Sequence, residues 1–220
     1  MSDTGDVEVR IASLHVHPVK SCAGIAVDEA LLIETGFEFD RAWMLVDERG
    51  VFVTQRDLPR MALIQPTLKH VDMVLRAPGM LALHVALDTV EAPVQATVWN
   101  DSVKAYDMGD LAAQWFSDFL GRKLRLVRFD PEQRRLSNRR WTGPLEAQNA
   151  FADAFPMLVA SSAGLAELNR RLAAAGHPPV TMQRLPSSRL VAEVAGMAGI
   201  AGLLASSRLS ARRRSSRRRP

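Results

Sequence analysis

The segment Pro18-Val19-Lys20-Ser21-Cys22-Ala23-Gly24 gathers an ammonium, a hydroxyl, a thiol and a flexible glycine within seven residues. At the exit of a strand, such a set meets an anion through charge, hydroxyl and exposed backbone N–H groups. Taken alone, the same residues also describe an exposed loop lysine beside a small buried cysteine. Arg41, in Phe39-Asp40-Arg41-Ala42-Trp43, can fork two bonds to a phosphate or pair with Asp40 instead. The stretch from Thr54 to Arg60 adds the guanidinium groups of Arg56 and Arg60, for which a solvated surface is the plain alternative. Ser161 and Ser162 stand where an apolar helical period begins, as N-caps do.

The elements that must position these groups change character along the chain. Residues 8–17 alternate apolar with polar as a half-buried strand does, and Pro18 then removes a backbone donor. RAWMLVD, the turn ERG and VFVTQR read as a β-hairpin, and residues 81–87 and 96–107 as further short strands, with turn chemistry at Pro78-Gly79 and Asn100-Asp101. From Asp110 the period becomes helical through Leu111, Ala112, Trp115, Phe116, Phe119 and Leu120, with Gly121 just past the end. KLRLVRF returns to a strand. Residues 131–156 are polar, aperiodic and Pro/Gly-containing, which predicts a long surface loop. MLVA then reads as a buried strand, and a helix capped by Ser161 or Ser162 runs to Gly176. The fold class is therefore β-rich α+β.

Composition sets the outer limits. With 47% hydrophobic and 24% charged residues in 220, the chain can bury a sizeable core. Its one cysteine excludes an internal disulfide and every multi-cysteine metal site, and fits a reducing, cytoplasmic setting. No run of about 18 apolar residues predicts a membrane span, and the polar, acidic start is unlike a signal peptide. The net charge of +4 is unevenly placed: from Arg184 onward nine arginines face one acid, Glu193, whereas the preceding residues carry a net −4. All aromatic residues lie at or before Phe155, so the basic excess belongs to an Arg/Ser/Ala-rich tail, 185–220, for which no compact fold is expected. That tail could contact nucleic acid phosphates only unspecifically, since it lacks aromatics for base stacking.

Several stretches in consecutive order resemble one family. VHPVKSCAGI, GFEFDRAWMLVDERGVFVTQRDLPRMALIQP, the segment from Val98 to Phe129, and FADAFPMLVASSAGLAELNRRL are similar to the N-terminal β-barrel and the opening of the MOSC domain, in the subgroup of the mitochondrial amidoxime-reducing component and its bacterial relatives. The resemblance covers residues 8–184. It implies a barrel-like N-terminal domain over 1–130 and the start of a MOSC domain over 131–184. It implies a molybdenum-pterin cofactor, reduction of a small N-hydroxylated substrate, and electrons from a separate electron-transfer protein. By the same resemblance, Lys20, Ser21 and Arg41 contact the pterin or its phosphate, Ser161 and Ser162 form a polar helix start whose N–H groups favour an anion, and Arg184 belongs to the cofactor site. Pyridoxal phosphate is the other cofactor associated with the family, and Lys20 is the lysine, of four, that would form its imine.

The sequence also departs from the pattern. After Arg184 the family's Arg-Pro-Asn-like strand is replaced by Leu185-Pro186-Ser187-Ser188, and no cysteine follows Cys22 to supply the thiolate that ligates molybdenum in the family. Cys22 sits in the loop motif and does not inherit that role. These departures predict a chain whose family-like part is truncated or frameshifted near residue 184, with impaired activity. A non-catalytic barrel module that binds a small anionic ligand or a protein partner is the alternative.

Overall fold

The computed structural model describes residues 10–89, 92–181, 191–195 and 208–210. In chain order the strands are β1 (Arg10–Ile11), β2 (Leu14–Val16), β3 (Ile25–Val27), β4 (Glu29–Ile33), β5 (Gly36–Phe37), β6 (Trp43–Val46), β7 (Gln65–Leu68), β8 (Asp72–Arg76), β9 (Leu83–Ala86), β10 (Pro93–Val98), β11 (Asp101–Asp107), β12 (Arg125–Phe129), β13 (Leu158–Ser161), β14 (Val191–Ala195) and β15 (Arg208–Ser210). The helices are α1 (Asp110–Leu120), α2 (Arg139–Thr142) and α3 (Ser162–Ala174). The expected β-rich α+β class is what the chain adopts. Among the described residues the strands form five separate sheets, and none of these closes into a barrel.

The central sheet has the order β10-β11-β12-β6 and is antiparallel throughout. β6 is buried along its whole length, so its side chains face two cores. Trp43 and Leu45 join Trp115, Phe116, Phe119 and Met61 on one side, while Met44 and Val46 join Val98, Val127, Phe129 and Phe151 on the other. α1 closes the first core with Ala112, Trp115, Phe116, Phe119 and Leu120, which recur every three or four residues. Gly121 ends it in the left-handed conformation that a C-cap favours (φ 70°). Leu111, expected on that face, is exposed because the buried stripe is centred between Ala112 and Phe116, and Leu111 falls on its far side.

Other sequence expectations shift more. Of the segment expected as one strand over 8–17, the described part, from Arg10, is two short strands, because β1 pairs with β14 and β2 with β3. The expected hairpin of β6 with the segment after Gly50 forms as an irregular one, through the antiparallel bridge Val46–Phe52 and the bonds Asp47 N–H to Val51 O (2.9 Å) and Val53 N–H to Leu45 O (3.0 Å). The clean hairpin is β10–β11, with its turn at Trp99 and Asn100. The polar stretch after β12 lies mostly at the surface, as expected, but is anchored inward at two places: Arg135 and Ser137, and then Asn149, Ala150, Phe151 and Ala152, are buried, and Phe151 packs edge-on against Phe129 at 5.3 Å. At these anchors the polar groups are bonded internally: Arg135 donates to Ala150 O (2.9 Å) and Ala152 O (2.6 Å) and pairs with Asp101 (2.8 Å). β13, expected to be buried, is half-buried and lies parallel to β14. β14 and β15 belong to the Arg/Ser/Ala-rich stretch; most of that stretch, including Arg212 to Arg219, lies outside the described residues.

Candidate functional site

The chain leaves β2 and is tied down on both sides of Lys20. Lys20 N–H donates to Trp43 O (2.8 Å), Trp43 N–H to Pro18 O (3.1 Å), Ala23 N–H to Ile64 O (3.0 Å) and Arg41 N–H to His17 O (2.7 Å). Gln55 Nε2 secures the turn by donating to Ser21 O (2.7 Å). The buried peptide of Phe151 joins the two cationic residues, because its N–H donates to Arg41 O (3.1 Å) and its carbonyl accepts from Lys20 Nζ (2.8 Å). Two segments remote in sequence are thus fixed around one point by backbone bonds, which sequence periodicity does not reveal.

Charge is concentrated there. Lys20 and Arg41 are each 1% exposed, and Arg135 is also buried nearby. Lys20 Nζ meets Asp153 Oδ1 at 2.5 Å and lies over the Phe52 ring, 5.8 Å from its centroid. Arg41 Nη1 pairs with Asp40 Oδ2, and Asp40 Oδ1 accepts His17 N–H at 2.8 Å. The ion pair with Asp40, one of the two sequence readings of Arg41, is present. Burial pulls the Lys20 ammonium below the ordinary lysine range, and the Asp153 carboxylate offsets part of that shift. Burial, reinforced by the Arg41 charge, lowers His17 to about 4, so its ring is neutral at pH 7.

Among the described residues, four non-glycine residues have left-handed backbone: Ser21 (φ 66°), Phe39 (φ 64°), Arg41 (φ 47°) and Trp99 (φ 55°). That conformation is disfavoured by about 1–2 kcal/mol for an L-residue with a side chain. Three of the four flank the Lys20 cluster. The fourth reaches it, since Trp99 Nε1 donates to Asp153 Oδ1 at 3.1 Å. Backbone strain gathered at one place is characteristic of a functional site held by its surroundings.

Lys20, Ser21 and Arg41 are therefore brought together. Ser161 and Ser162 lie on another element: Ser161 Oγ accepts Gly164 N–H (2.9 Å) as the N-cap of α3, and Ser162 opens that helix. Arg184 lies outside the described residues. Sequence reasoning missed His17, Arg135, Asp153 and Trp99. Asp153 carried a usable signal, a lone acid within the apolar run Phe151-Ala152-Asp153-Ala154-Phe155-Pro156.

The donor set suits an anion better than a metal. Cys22 is fully buried in the apolar core, and burial pushes its thiol above the ordinary cysteine range, where the thiolate needed for ligation does not form. Among the described residues, no group of three or more His, Cys, Asp or Glu side chains is arranged to hold a metal ion. A groove at the C-terminal end of α1, lined by Asp118, Arg122, Lys123 and Arg125 among others, shares no residue with the Lys20 cluster, and its cations are paired with Asp47, Glu48, Asp107 and Asp110. No helix among the described residues is long and apolar enough to cross a membrane.

The chain is 35% identical over 171 residues to mitochondrial amidoxime-reducing component 1 of Mus musculus, covering 74% of this chain and 50% of that protein. It is 34% identical over 171 residues to mitochondrial amidoxime reducing component 2 of Bos taurus, covering 74% and 51%. Against molybdenum cofactor sulfurase of Bos taurus it is 36% identical over 135 residues, covering 58% of this chain and 15% of that protein. The chain spans about half the length of the amidoxime-reducing relatives it matches. Residues 8–123, more than half of the chain, match the family described as the MOSC N-terminal beta barrel domain, and the chain belongs to that family.

Proposed function

We propose that this chain binds a molybdenum-pterin cofactor and that Lys20, Ser21 and Arg41 receive the cofactor's anionic end. The observation that supports this most is the convergence of buried cations and strained backbone on one loop: Lys20, Arg41 and Arg135 with Ser21 and Arg41 in left-handed conformations. A phosphate fits such a donor set, because ammonium, guanidinium and hydroxyl groups all donate and none needs to ionise at neutral pH. Their positions are fixed before binding by the backbone bonds to Trp43, His17 and Phe151, which limits the ordering cost of taking a ligand.

The bound group would supply two-electron redox chemistry at its metal, and by family likeness the reaction is reduction of an N-hydroxylated compound with electrons from a separate electron-transfer protein. Within this chain the roles are binding and orientation. Lys20 and Arg41 neutralise the anion, Ser21 offers a hydroxyl and its turn, and the Arg135-held segment closes over Lys20 through the Phe151 carbonyl. Ser161, Ser162 and Arg184 remain candidates for the rest of the cofactor contact in a MOSC domain that begins near residue 131. The sequestered Cys22 favours a second reading, a module that binds the anionic ligand without catalysing reduction. Pyridoxal phosphate is the weaker ligand, since imine formation would require Lys20 to surrender its bonds to Phe151 and Asp153. Residues 185–220 are read as an out-of-frame stretch, which translation of the encoding DNA in its other two frames beyond codon 184 tests: a family-like strand and a later cysteine support it, and neither frame continuing the family refutes it.

Protein made in a host that synthesises the molybdenum cofactor should carry pterin, detected by fluorescence after oxidation. Elemental analysis separates the two readings: about one molybdenum per chain supports the enzyme, and pterin without metal supports the binding module. A preparation free of both overturns the proposal.

A further inference from the structure

Asp153 is placed oddly for a residue that only neutralises a lysine. Its Oδ1 accepts from two donors of opposite character, the buried Lys20 ammonium at 2.5 Å and the indole N–H of Trp99 at 3.1 Å. Lys20 is sealed in the interior, whereas the Asp153 side chain is 24% exposed and Trp99 43% exposed. The carboxylate therefore lies between the ammonium and solvent. The chain up to Ala152 is fastened by Arg135 through the carbonyls of Ala150 and Ala152. Beyond Ala152 it runs through bends to β13, with Ala154 and Phe155 exposed. Arg135 Nη2 also reaches Asp153 O (3.5 Å) and Asn149 Nδ2 donates to Ala154 O (3.3 Å), so the backbone is held on both sides of Asp153 and an outward swing of its partly exposed side chain is a rotation about its own χ angles.

Trp99 is equally specific. Its backbone is left-handed at the β10–β11 turn, and its ring packs on Phe52 at 5.0 Å while the Arg56 guanidinium lies over its face at 5.6 Å. These contacts orient the indole N–H, and the group it meets is Asp153.

Resting on the anion-site reading of Lys20, we propose that Asp153 is a built-in stand-in for the ligand's anionic group: it neutralises Lys20 until an anion arrives and must then swing out, while Trp99 is the latch that holds it in. The physical ground is that an anion and a carboxylate within about 4–6 Å repel, whereas either one alone satisfies the ammonium. A buried lysine left with neither is strongly disfavoured. Asp153 and the ligand therefore compete for one place, and the Trp99 bond shifts that competition toward the closed state.

Titration of the full chain with inorganic phosphate, by calorimetry and by thermal shift, tests this. Asp153→Asn should bind phosphate about tenfold more tightly than the unaltered chain, equivalent to about 1.4 kcal/mol, and phosphate should raise its melting temperature by more. Trp99→Phe keeps the ring against Phe52 but lacks the N–H, so it should bind phosphate a few-fold more tightly; it keeps the test decisive where Asp153→Asn fails to fold. Lys20→Met should abolish binding. If the unaltered chain binds phosphate through Lys20 and neither Trp99→Phe nor a folded Asp153→Asn tightens it, the latch is refuted while the anion site stands. If no variant binds phosphate, or Lys20→Met binds as well as the unaltered chain, the anion site is refuted and the latch with it.

Discussion

His17 gives the most quantitative handle on how the site is built. Its ring is buried and lies against Gly24, and its protonation is opposed by burial and then by the Arg41 charge, which brings its pKa to about 4 from 6.5. The unfolded chain therefore binds a proton at pH values where the native chain does not, so stability is full above about pH 6.5 and is lost as the pH falls toward 4. One pKa unit is worth about 1.36 kcal/mol, so the whole window is worth about 3 kcal/mol, of which about 2 kcal/mol is lost between pH 7 and pH 5. Urea unfolding at the two pH values should show that loss, and His17→Gln, which has nothing to titrate, should flatten it even if its stability at pH 7 is lower. The imidazole proton signals should remain those of a neutral ring at pH 5. A fully retained pH dependence in His17→Gln, or an imidazolium at pH 5 in the folded chain, would refute the burial argument.

The same packing predicts other outcomes. A Cβ at Gly24 would sit 2.6 Å from His17 Cε1 and 2.7 Å from Nε2, so Gly24→Ala should cost about 1–3 kcal/mol by overpacking, read as a lower urea midpoint. Cys22, buried and with its thiol pushed up, should react with a thiol reagent only as fast as the protein unfolds, and immediate modification of native protein would contradict that placement. Arg135→Met removes the donor to Ala150 O and Ala152 O and should cost about 3–5 kcal/mol, measurable by denaturant unfolding, whereas Arg134→Ala, an exposed pair with Glu146, should change stability by less than about 1 kcal/mol. Lys20→Met leaves the buried Phe151 carbonyl without its donor while Asp153 can turn to water, so it should cost about 1–3 kcal/mol in denaturant unfolding and lose phosphate binding.

The parts of this fold governed by local pattern were legible in the sequence. α1 follows from the spacing of Ala112, Trp115, Phe116 and Phe119 and from Gly121, and α3 from Ser161 as cap, because helical bonds and caps are settled within a few residues. Lys20, Ser21 and Arg41 were visible as residue types in a motif. What joins them was not, because Phe151 and Asp153 lie 131 and 133 residues beyond Lys20 and their segment is polar enough to read as solvated. Most of that segment does face water, but Arg135 and Asn149 bond inward, and composition alone does not distinguish a polar group facing water from one facing a carbonyl. Trp99 was hidden for a related reason: nothing in Val98-Trp99-Asn100-Asp101 places the left-handed residue at the tryptophan rather than at the asparagine that ordinarily takes it.

The central claim is that Lys20 holds the anionic end of a pterin cofactor. The most direct measurement is the pterin content per chain of the unaltered protein and of Lys20→Met, both made in the same cofactor-synthesising host and both checked for a cooperative unfolding transition above the growth temperature. The account predicts that pterin co-purifies with the unaltered chain and falls at least about tenfold in Lys20→Met, the loss expected when a buried charge-assisted bond to an anion is removed. Equal pterin in the two proteins, or none in the unaltered chain, would contradict it.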